Sequence, residues 1–336
     1  MSKSYAHSAD ASQSRREDRP MTTSLAVIFM IFNRPDHTRQ VFETIRAAAP
    51  SKLLVIADGP RANKPGDAEN CAAARAIIEG VDWECEVQTN YSETNLGCRL
   101  RIASGLTWAF ELVDKAIILE DDCVPSASFF PYCADLLDYY ESDERVMMIS
   151  GDNHLLGRAQ TADSYHFSRY PHVWGWATWR RAWAKYDLNM TNWPEIRDRK
   201  LFDQYVRKGG ERFWWESVFQ SAYEGNVATW DFQWTYSIWA NSGLCITPAR
   251  NLVRNIGVHP EATTQRRDSV YSSLGAEELD LPLKHPATVL ASLDIDELEA
   301  RLRFAHEQVL PYPLNKYIYS AYRFIAAKLP GRGRDR

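Results

Sequence analysis

Three consecutive carboxylates, Glu120-Asp121-Asp122, end the apolar run Ala116-Ile117-Ile118-Leu119 that follows Lys115. Acids within about 4 Å of one another repel by roughly 1 to 4 kcal/mol, and drying each one costs several kcal/mol more. A divalent cation offsets both terms, and hard carboxylate oxygens suit Mn2+ or Mg2+. The run reads as a strand buried on both faces, as parallel strands are, so the acids emerge at its carboxyl end. Ligands of open α/β sheets bind at that edge. The plainer alternative is a helix cap, because Val124-Pro125-Ser126 follows and acids favour helix N-termini.

The segments before the acids alternate between strand and helix patterns. Leu25 to Phe32 is a continuous apolar run, followed by Asn33-Arg34-Pro35 and a helix carrying Val41, Phe42 and Ile45. Leu53 to Ala57 is a second buried strand with Asp58-Gly59-Pro60 as its exit turn, and Cys85-Glu86-Val87 a short third. A helix over about Asp67 to Glu79 separates the last two, and Asn95-Leu96-Gly97 opens another that leads into the acidic strand. This order implies a parallel sheet with right-handed crossovers, so the turns at Asn33, Asp58 and Asp122 converge on one edge. After the acids, a helix over Phe129 to Glu141 and a strand over Arg145 to Ser150 are expected.

Ten of the twelve tryptophans lie between Trp174 and Trp239. They form the clusters Trp174 to Trp183, Phe213-Trp214-Trp215-Glu216 and Trp230-Asp231-Phe232-Gln233-Trp234. Aromatic faces stack on the C–H faces of sugars, and they also fill cores. The density predicts a platform beside a core, with Trp176, Trp179, Trp215, Glu216 and Trp234 as candidate acceptor-binding residues.

Glu120-Asp121-Asp122, then Gly175-Trp176-Ala177-Thr178-Trp179, Trp230-Asp231 and Asn251-Leu252-Val253-Arg254-Asn255-Ile256-Gly257 follow one another in an order that resembles the GT-A glycosyltransferases. The layout is most similar to bacterial family 2 sugar transferases and to the N-acetylglucosaminyltransferase I group, over residues 25 to 265. The resemblance implies a mostly parallel, Rossmann-like central sheet flanked by helices, with a C-terminal helical extension. It implies transfer of a sugar from a nucleotide diphosphate sugar, UDP favoured, to a glycan or lipid-linked acceptor hydroxyl with inversion, in polysaccharide biosynthesis. Asp122 is then the metal ligand, and Glu120 and Asp121 touch the ribose or waters on the metal. Asn33 or Arg34 holds the base or ribose, Asp58 the uracil ring, and Asn95 and Arg99 lie under the nucleotide. Asp231 is the catalytic base, with Glu216 and Asp152 in reserve. Relatives often carry a histidine near the metal in an Ala-Thr-His-Thr stretch. This chain has Ala262-Thr263-Thr264-Gln265, with His259 upstream.

Composition sets the remaining bounds. The chain has 336 residues, 45% hydrophobic and 25% charged, with a net charge of -5, which argues against broad nucleic-acid binding. Six cysteines without a CxxC pair indicate neither a zinc site nor a disulfide scaffold. With no apolar run long enough to span a bilayer, a cytoplasmic location is expected. Residues 1–23 read as a disordered leader, 24–268 as the catalytic domain divided at 122, and 269–336 as an extension with a basic tail. That tail suits an anionic membrane surface, and equally a packed helix with a frayed end. Two rival functions share some of these features. A sugar nucleotidyltransferase would need a Gly-rich phosphate loop where Asn33-Arg34-Pro35 stands, and a non-catalytic carbohydrate-binding protein would have no use for the acids.

Overall fold

A computed structural model describes residues 25–159, 161–206, 210–257, 270–271 and 273–304. The sequence stretches 262–265 and 305–336, His259 and the leader lie outside the described residues. The first half alternates as expected: β1 (Ala26–Ile31), α1 (Pro35–Ala48), β2 (Lys52–Ala57), α2 (Asp67–Ala76), β3 (Glu86–Tyr91), α3 (Gly97–Leu112) and β4 (Lys115–Glu120). There follow β5 (Cys123–Pro125), α4 (Phe129–Tyr139), β6 (Val146–Ser150), β7 (Tyr165–Ser168) and β8 (Trp176–Trp179). Helices α5 (Arg180–Trp183), α6 (Trp193–Asp198), α7 (Gly210–Tyr223) and α8 (Asp231–Ala240) lead to β9 (Leu244–Pro248), β10 (Val253–Asn255) and α9 (Leu293–Phe304).

Eight strands form one mixed, mostly parallel sheet in the order β3-β2-β1-β4-β8-β6-β9-β7. Strands β1 to β4 are mutually parallel, whereas β8 runs antiparallel to both of its neighbours, β4 and β6. The chain builds outward from β1 through β2 to β3, then returns to the other side of β1 as β4. The crevice between the carboxyl ends of β1 and β4 is therefore the point where strand order reverses, which is where such sheets bind ligands.

Period-two alternation splits the core into two layers. Ala26, Ile28 and Met30 of β1, with Ala116 and Ile118 of β4, face a cluster built from α3 and the tryptophan-rich helices. Val27, Phe29, Ile31, Ile117 and Leu119 face the opposite cluster, supplied by α1 and α4. Every residue of β1 is buried, which is why the sequence shows a continuous apolar run there.

The tryptophan-rich region departs from expectation. Trp176 to Trp179 is a strand in the middle of the sheet, and its four residues are all buried. Trp176 packs on Trp230 and Trp234 with ring centroids 5.5 and 5.8 Å apart, and the Trp179 indole N–H donates to the Leu137 carbonyl at 3.0 Å. Trp234 is also fully enclosed. These three fill the core and do not present a surface to an acceptor. Trp176→Ala is accordingly expected to destabilise the fold by about 3 to 5 kcal/mol, as removal of a buried aromatic does. Chemical denaturation would check this, and a variant with unchanged stability would contradict the core assignment.

Residues 273–304 are tied to the sheet domain. Glu278 accepts the N–H groups of Ala127 and Ser128 at the start of α4, Ser292 N–H donates to the Phe167 carbonyl, and Asp296 pairs with Arg169 at 2.8 Å.

Candidate active site

The acids stand at the reversal point. Glu120 ends β4, and Asp121 and Asp122 form the turn into β5. Asp121 is 2% exposed and accepts the Phe32 N–H at 3.2 Å from the loop that follows β1. Arg34, in the same loop, forks across the turn: one guanidinium nitrogen pairs with Asp121, the other lies 2.9 Å from Asp122 Oδ2. Burial works against the Arg34 charge, but the two carboxylates outweigh it and hold its pKa above the ordinary value. Burial and the neighbouring acids push the Glu120 carboxyl well up, and burial also raises Asp121 against the pull of Arg34. One cation thus faces three acids.

A second antiparallel pair fixes the far side of the turn. Strand β10 pairs with β5 in the register Asn255 to Cys123, and Ile256 N–H donates to the Asp122 carbonyl at 2.8 Å. This carries Gly257 against the Asp122 side chain so closely that an added Cβ would lie 2.0 Å from Oδ2. A side chain at this position would have to push the Asp122 carboxylate aside. Gly257→Ala is expected to displace the Asp122 carboxylate and, on the metal-ligand expectation for Asp122, to weaken Mn2+-dependent nucleotide binding by tenfold or more, about 1.4 kcal/mol. Calorimetric titration would check it, and wild-type affinity would show that the Asp122 position is immaterial.

A cleft of about 450 Å³ opens on the turn, lined among others by Arg34, Asp58, Asn95, Gly97, the three acids, Asp231 and Asn255. Asp58 is placed at the expected edge, and both of its oxygens are engaged. It accepts the N–H groups of Gly59, Leu96 and Gly97 at 2.8 to 2.9 Å and the Asn95 side-chain amide at 3.1 Å. Asp58 therefore latches the start of α3 to the end of β2, and Gly97, at φ +76°, supplies the left-handed turn that brings two N–H groups onto it.

Asp231 is the first residue of α8 and lines the same cleft. Burial raises its pKa, while the Thr229 hydroxyl and the N–H groups at the helix start pull it back. Its charge is felt at Glu120 and at Cys98, so the base candidate and the acidic turn share one electrostatic environment.

Other expected residues lie elsewhere. The Asn33 amide donates to Asp67 at 2.5 Å, and Arg61 also binds that carboxylate, which helps to hold it at about 2, so this trio braces the β1 loop against α2. Arg99 reaches the Leu188 carbonyl at 3.1 Å, and Glu216 pairs with Arg212 at 2.9 Å on α7; neither lines the cleft. Trp215 does line it but is only 5% exposed. The open aromatic wall comes instead from Trp174, Trp214 and Phe232. Arg101, Asp152, His154, His172 and Arg303 also line the cleft; the sequence points to Asp152 and leaves Arg101 open between a nucleotide contact and an exposed helix charge, and it does not single out the other three. Arg303 comes from α9, too far along the chain for local spacing to reveal.

No family model matches the chain, and no curated protein matches its sequence. Solved structures do. A mannosyltransferase from Pyrobaculum calidifontis, in complex with GDP-Man and Mn2+, aligns at 14% identity and a TM-score of 0.32 over 49% of this chain and 48% of its own. The 4-diphosphocytidyl-2C-methyl-D-erythritol synthase of Anaerococcus prevotii aligns at 8% identity and 0.30, over 48% and 74%. Mouse xyloside xylosyltransferase 1, in its apo form, aligns at 10% identity and 0.30, over 64% and 82%. The chain thus spans about half the length of the mannosyltransferase that it matches.

The acidic turn supplies part of what a divalent ion requires. Among the described residues no three ligating side chains are gathered as a protein-only cage. One or two carboxylates facing a cleft are nonetheless the protein share that Mg2+ or Mn2+ needs when phosphates and waters supply the rest. Asp122, beside the cleft and held among the described residues by Arg34 and a weak 3.5 Å contact from the Cys123 thiol, fits that role. Among the described residues no helix is long and apolar enough to cross a membrane.

Proposed function

We propose that this protein is a metal-dependent glycosyltransferase that moves a sugar from a nucleotide diphosphate sugar to the hydroxyl of a glycan or lipid-linked acceptor, with inversion. The observation that carries this reading is the shared cleft. It holds the Glu120-Asp121-Asp122 turn at the sheet's reversal point, a half-buried carboxylate at Asp231, and the aromatic side chains of Trp174, Trp214 and Phe232.

In this reading Asp122 would hold the divalent ion, and Glu120 would contact the ribose or waters on the metal. Bound there, Mn2+ or Mg2+ supplies charge neutralisation for the departing diphosphate. Arg34, already paired with both aspartates, keeps the turn ordered between donors and offers a second positive charge beside the phosphates. The acceptor hydroxyl has a pKa far above 7, so attack on C1 requires a positioned base. Asp231 takes that proton as the C1–oxygen bond forms and the nucleotide diphosphate leaves. Trp174, Trp214 and Phe232 exclude water and stack on sugar faces. A UDP-sugar donor, a role in polysaccharide biosynthesis, and a site of action in the cytoplasm at the inner membrane face belong to this same proposal.

Thermal-shift titration of the whole protein against UDP, GDP, CMP and dTDP, each with and without Mn2+, tests the reading. A ligand at 100 times its Kd stabilises by about 2.7 kcal/mol. One diphosphate stabilising only with metal is the expected result. Stabilisation by none removes the donor site and with it the transferase. Stabilisation by a nucleoside triphosphate together with a sugar phosphate would mark a nucleotidyltransferase.

A further inference from the structure

The end of the cleft away from the acidic turn contains polar atoms that no described residue satisfies. Strand β6 ends on Gly151-Asp152-Asn153-His154. Asn153 is fully engaged, donating to the Pro248 carbonyl at 2.7 Å and accepting the Leu155 N–H at 2.9 Å. Its neighbours are not. Asp152 is 1% exposed; Oδ2 accepts the Trp174 N–H at 3.0 Å, while Oδ1 has no partner. His154 is 4% exposed, and neither ring nitrogen has a partner. Its ring lies among His172, Trp174 and Tyr271, with centroids 4.4, 5.3 and 4.9 Å away. Asp152, His154, His172 and Trp174 all line the cleft. Buried polar atoms are ordinarily hydrogen-bonded because leaving them dry is costly, so three such atoms on two residues that line one cleft call for a partner that arrives from solution.

The chemistry of the set selects the partner. Burial pushes the Asp152 carboxyl well up and the His154 and His172 imidazoles well down, so burial favours the uncharged form of each. The nearest fixed cation, Arg303, approaches His172 Nδ1 at 2.8 Å and has Glu299 at 3.8 Å. His172 Nε2 also lies 2.8 Å from Glu299, out of line for a good hydrogen bond. A neutral array of donors and acceptors beside an indole face suits hydroxyl groups better than phosphate or carboxylate. Strands β4 and β6 run parallel and are separated only by β8, so the two ends of the cleft stand roughly 10 Å apart along the sheet edge. That leaves room for one sugar ring beyond a diphosphate at the acids.

We propose that Asp152 and His154, with Trp174 as the apolar wall, form a subsite that hydrogen-bonds the ring hydroxyls of a pyranose. The subsite stands on its own geometry; whether the sugar is the donor's or the acceptor's rests on the transferase reading.

Saturation-transfer NMR on the full-length protein tests it with methyl glycosides of glucose, galactose, mannose and N-acetylglucosamine. UDP-glucose, UDP-N-acetylglucosamine and GDP-mannose are run in parallel against UDP and GDP, while the His154 ring proton signal is followed in the wild-type protein. The expected result is binding of at least one sugar with a shift of that signal, weakened about tenfold in His154→Gln and in Asp152→Asn, as loss of a hydrogen bond from a dry site predicts. A loss confined to nucleotide sugars, with free nucleotides unaffected, assigns the subsite to the donor; a loss confined to glycosides assigns it to the acceptor. Sugar binding that moves His154 without any nucleotide binding keeps the subsite and defeats the transferase. Wild-type affinities in both variants, sugar binding with an unmoved His154 signal, or no sugar binding at all overturns the proposal, and the wild-type signal decides even where a variant fails to fold.

Discussion

Replacing Asp231 with asparagine is expected to lower sugar transfer by about 10²- to 10⁴-fold, the usual contribution of a positioned base, while nucleotide and metal still bind. The separation of the two effects follows from position. Asp231 begins α8, on a different element from the acidic turn, and its carboxylate is held by Thr229 and by the N–H groups of the helix start. Asparagine has nearly the same shape but cannot accept a proton.

The pH profile gives an independent check. Burial raises the Asp231 pKa above the ordinary carboxylate value. The active form is the deprotonated one, present above that pKa and lost as pH falls through it. The acid limb of kcat/KM should therefore lie above the usual carboxylate range. The Thr229 hydroxyl donates to the charged form and holds the pKa down, so Thr229→Val should move the limb to still higher pH. Near-normal turnover by Asp231→Asn, or a limb indifferent to Thr229, would take Asp231 out of the role.

What the sequence disclosed depended on how locally each feature is encoded. Strands β1, β2 and β4 are buried on both faces, so each appears as an unbroken apolar run, and the alternation of strands with helices was enough to align their carboxyl ends. The acidic turn and Asp58 fall on that edge as expected. Strand β8 is illegible in the sequence because four residues containing two tryptophans carry no periodicity that separates a central strand from a sugar platform, which is why the aromatic density predicts acceptor contacts at Trp176 and Trp179. Once β8 is inserted between β4 and β6, both must be core. The cleft's far wall was hidden for a different cause. Asp152, His172 and Arg303 meet through contacts spanning about 150 residues, and nothing in their local sequence marks them as neighbours. The role of Gly257 was visible only as part of a resembling stretch; the physical reason, an Asp122 oxygen where a Cβ would be, needed the β5–β10 pairing.

Asp122→Ala is expected to abolish metal-dependent nucleotide binding without weakening the ligand-free fold. The turn sets two aspartates against one guanidinium, beside a Glu120 carboxyl that burial and these neighbours push toward its neutral form, so it holds an excess of negative charge. Removing Asp122 relieves part of the repulsion and leaves the Arg34–Asp121 pair in place, so the melting temperature of the free protein should hold or rise. That is opposite in sign to the loss that follows when an ordinary buried ion pair is cut, where the orphaned partner is left without a counter-charge. In the same variant the stabilisation of about 2.7 kcal/mol expected from a nucleotide diphosphate and Mn2+ at 100 times Kd should vanish. Electron paramagnetic resonance of added Mn2+ provides a readout that does not involve turnover: the wild type with nucleotide should immobilise one equivalent, and the variant none. A variant that keeps both the metal-dependent shift and the bound Mn2+ would move the ion away from Asp122. A variant that instead melts well below the wild type would mean that Asp122 serves the fold, and the acidic turn would then be a structural feature of the β4–β5 connection.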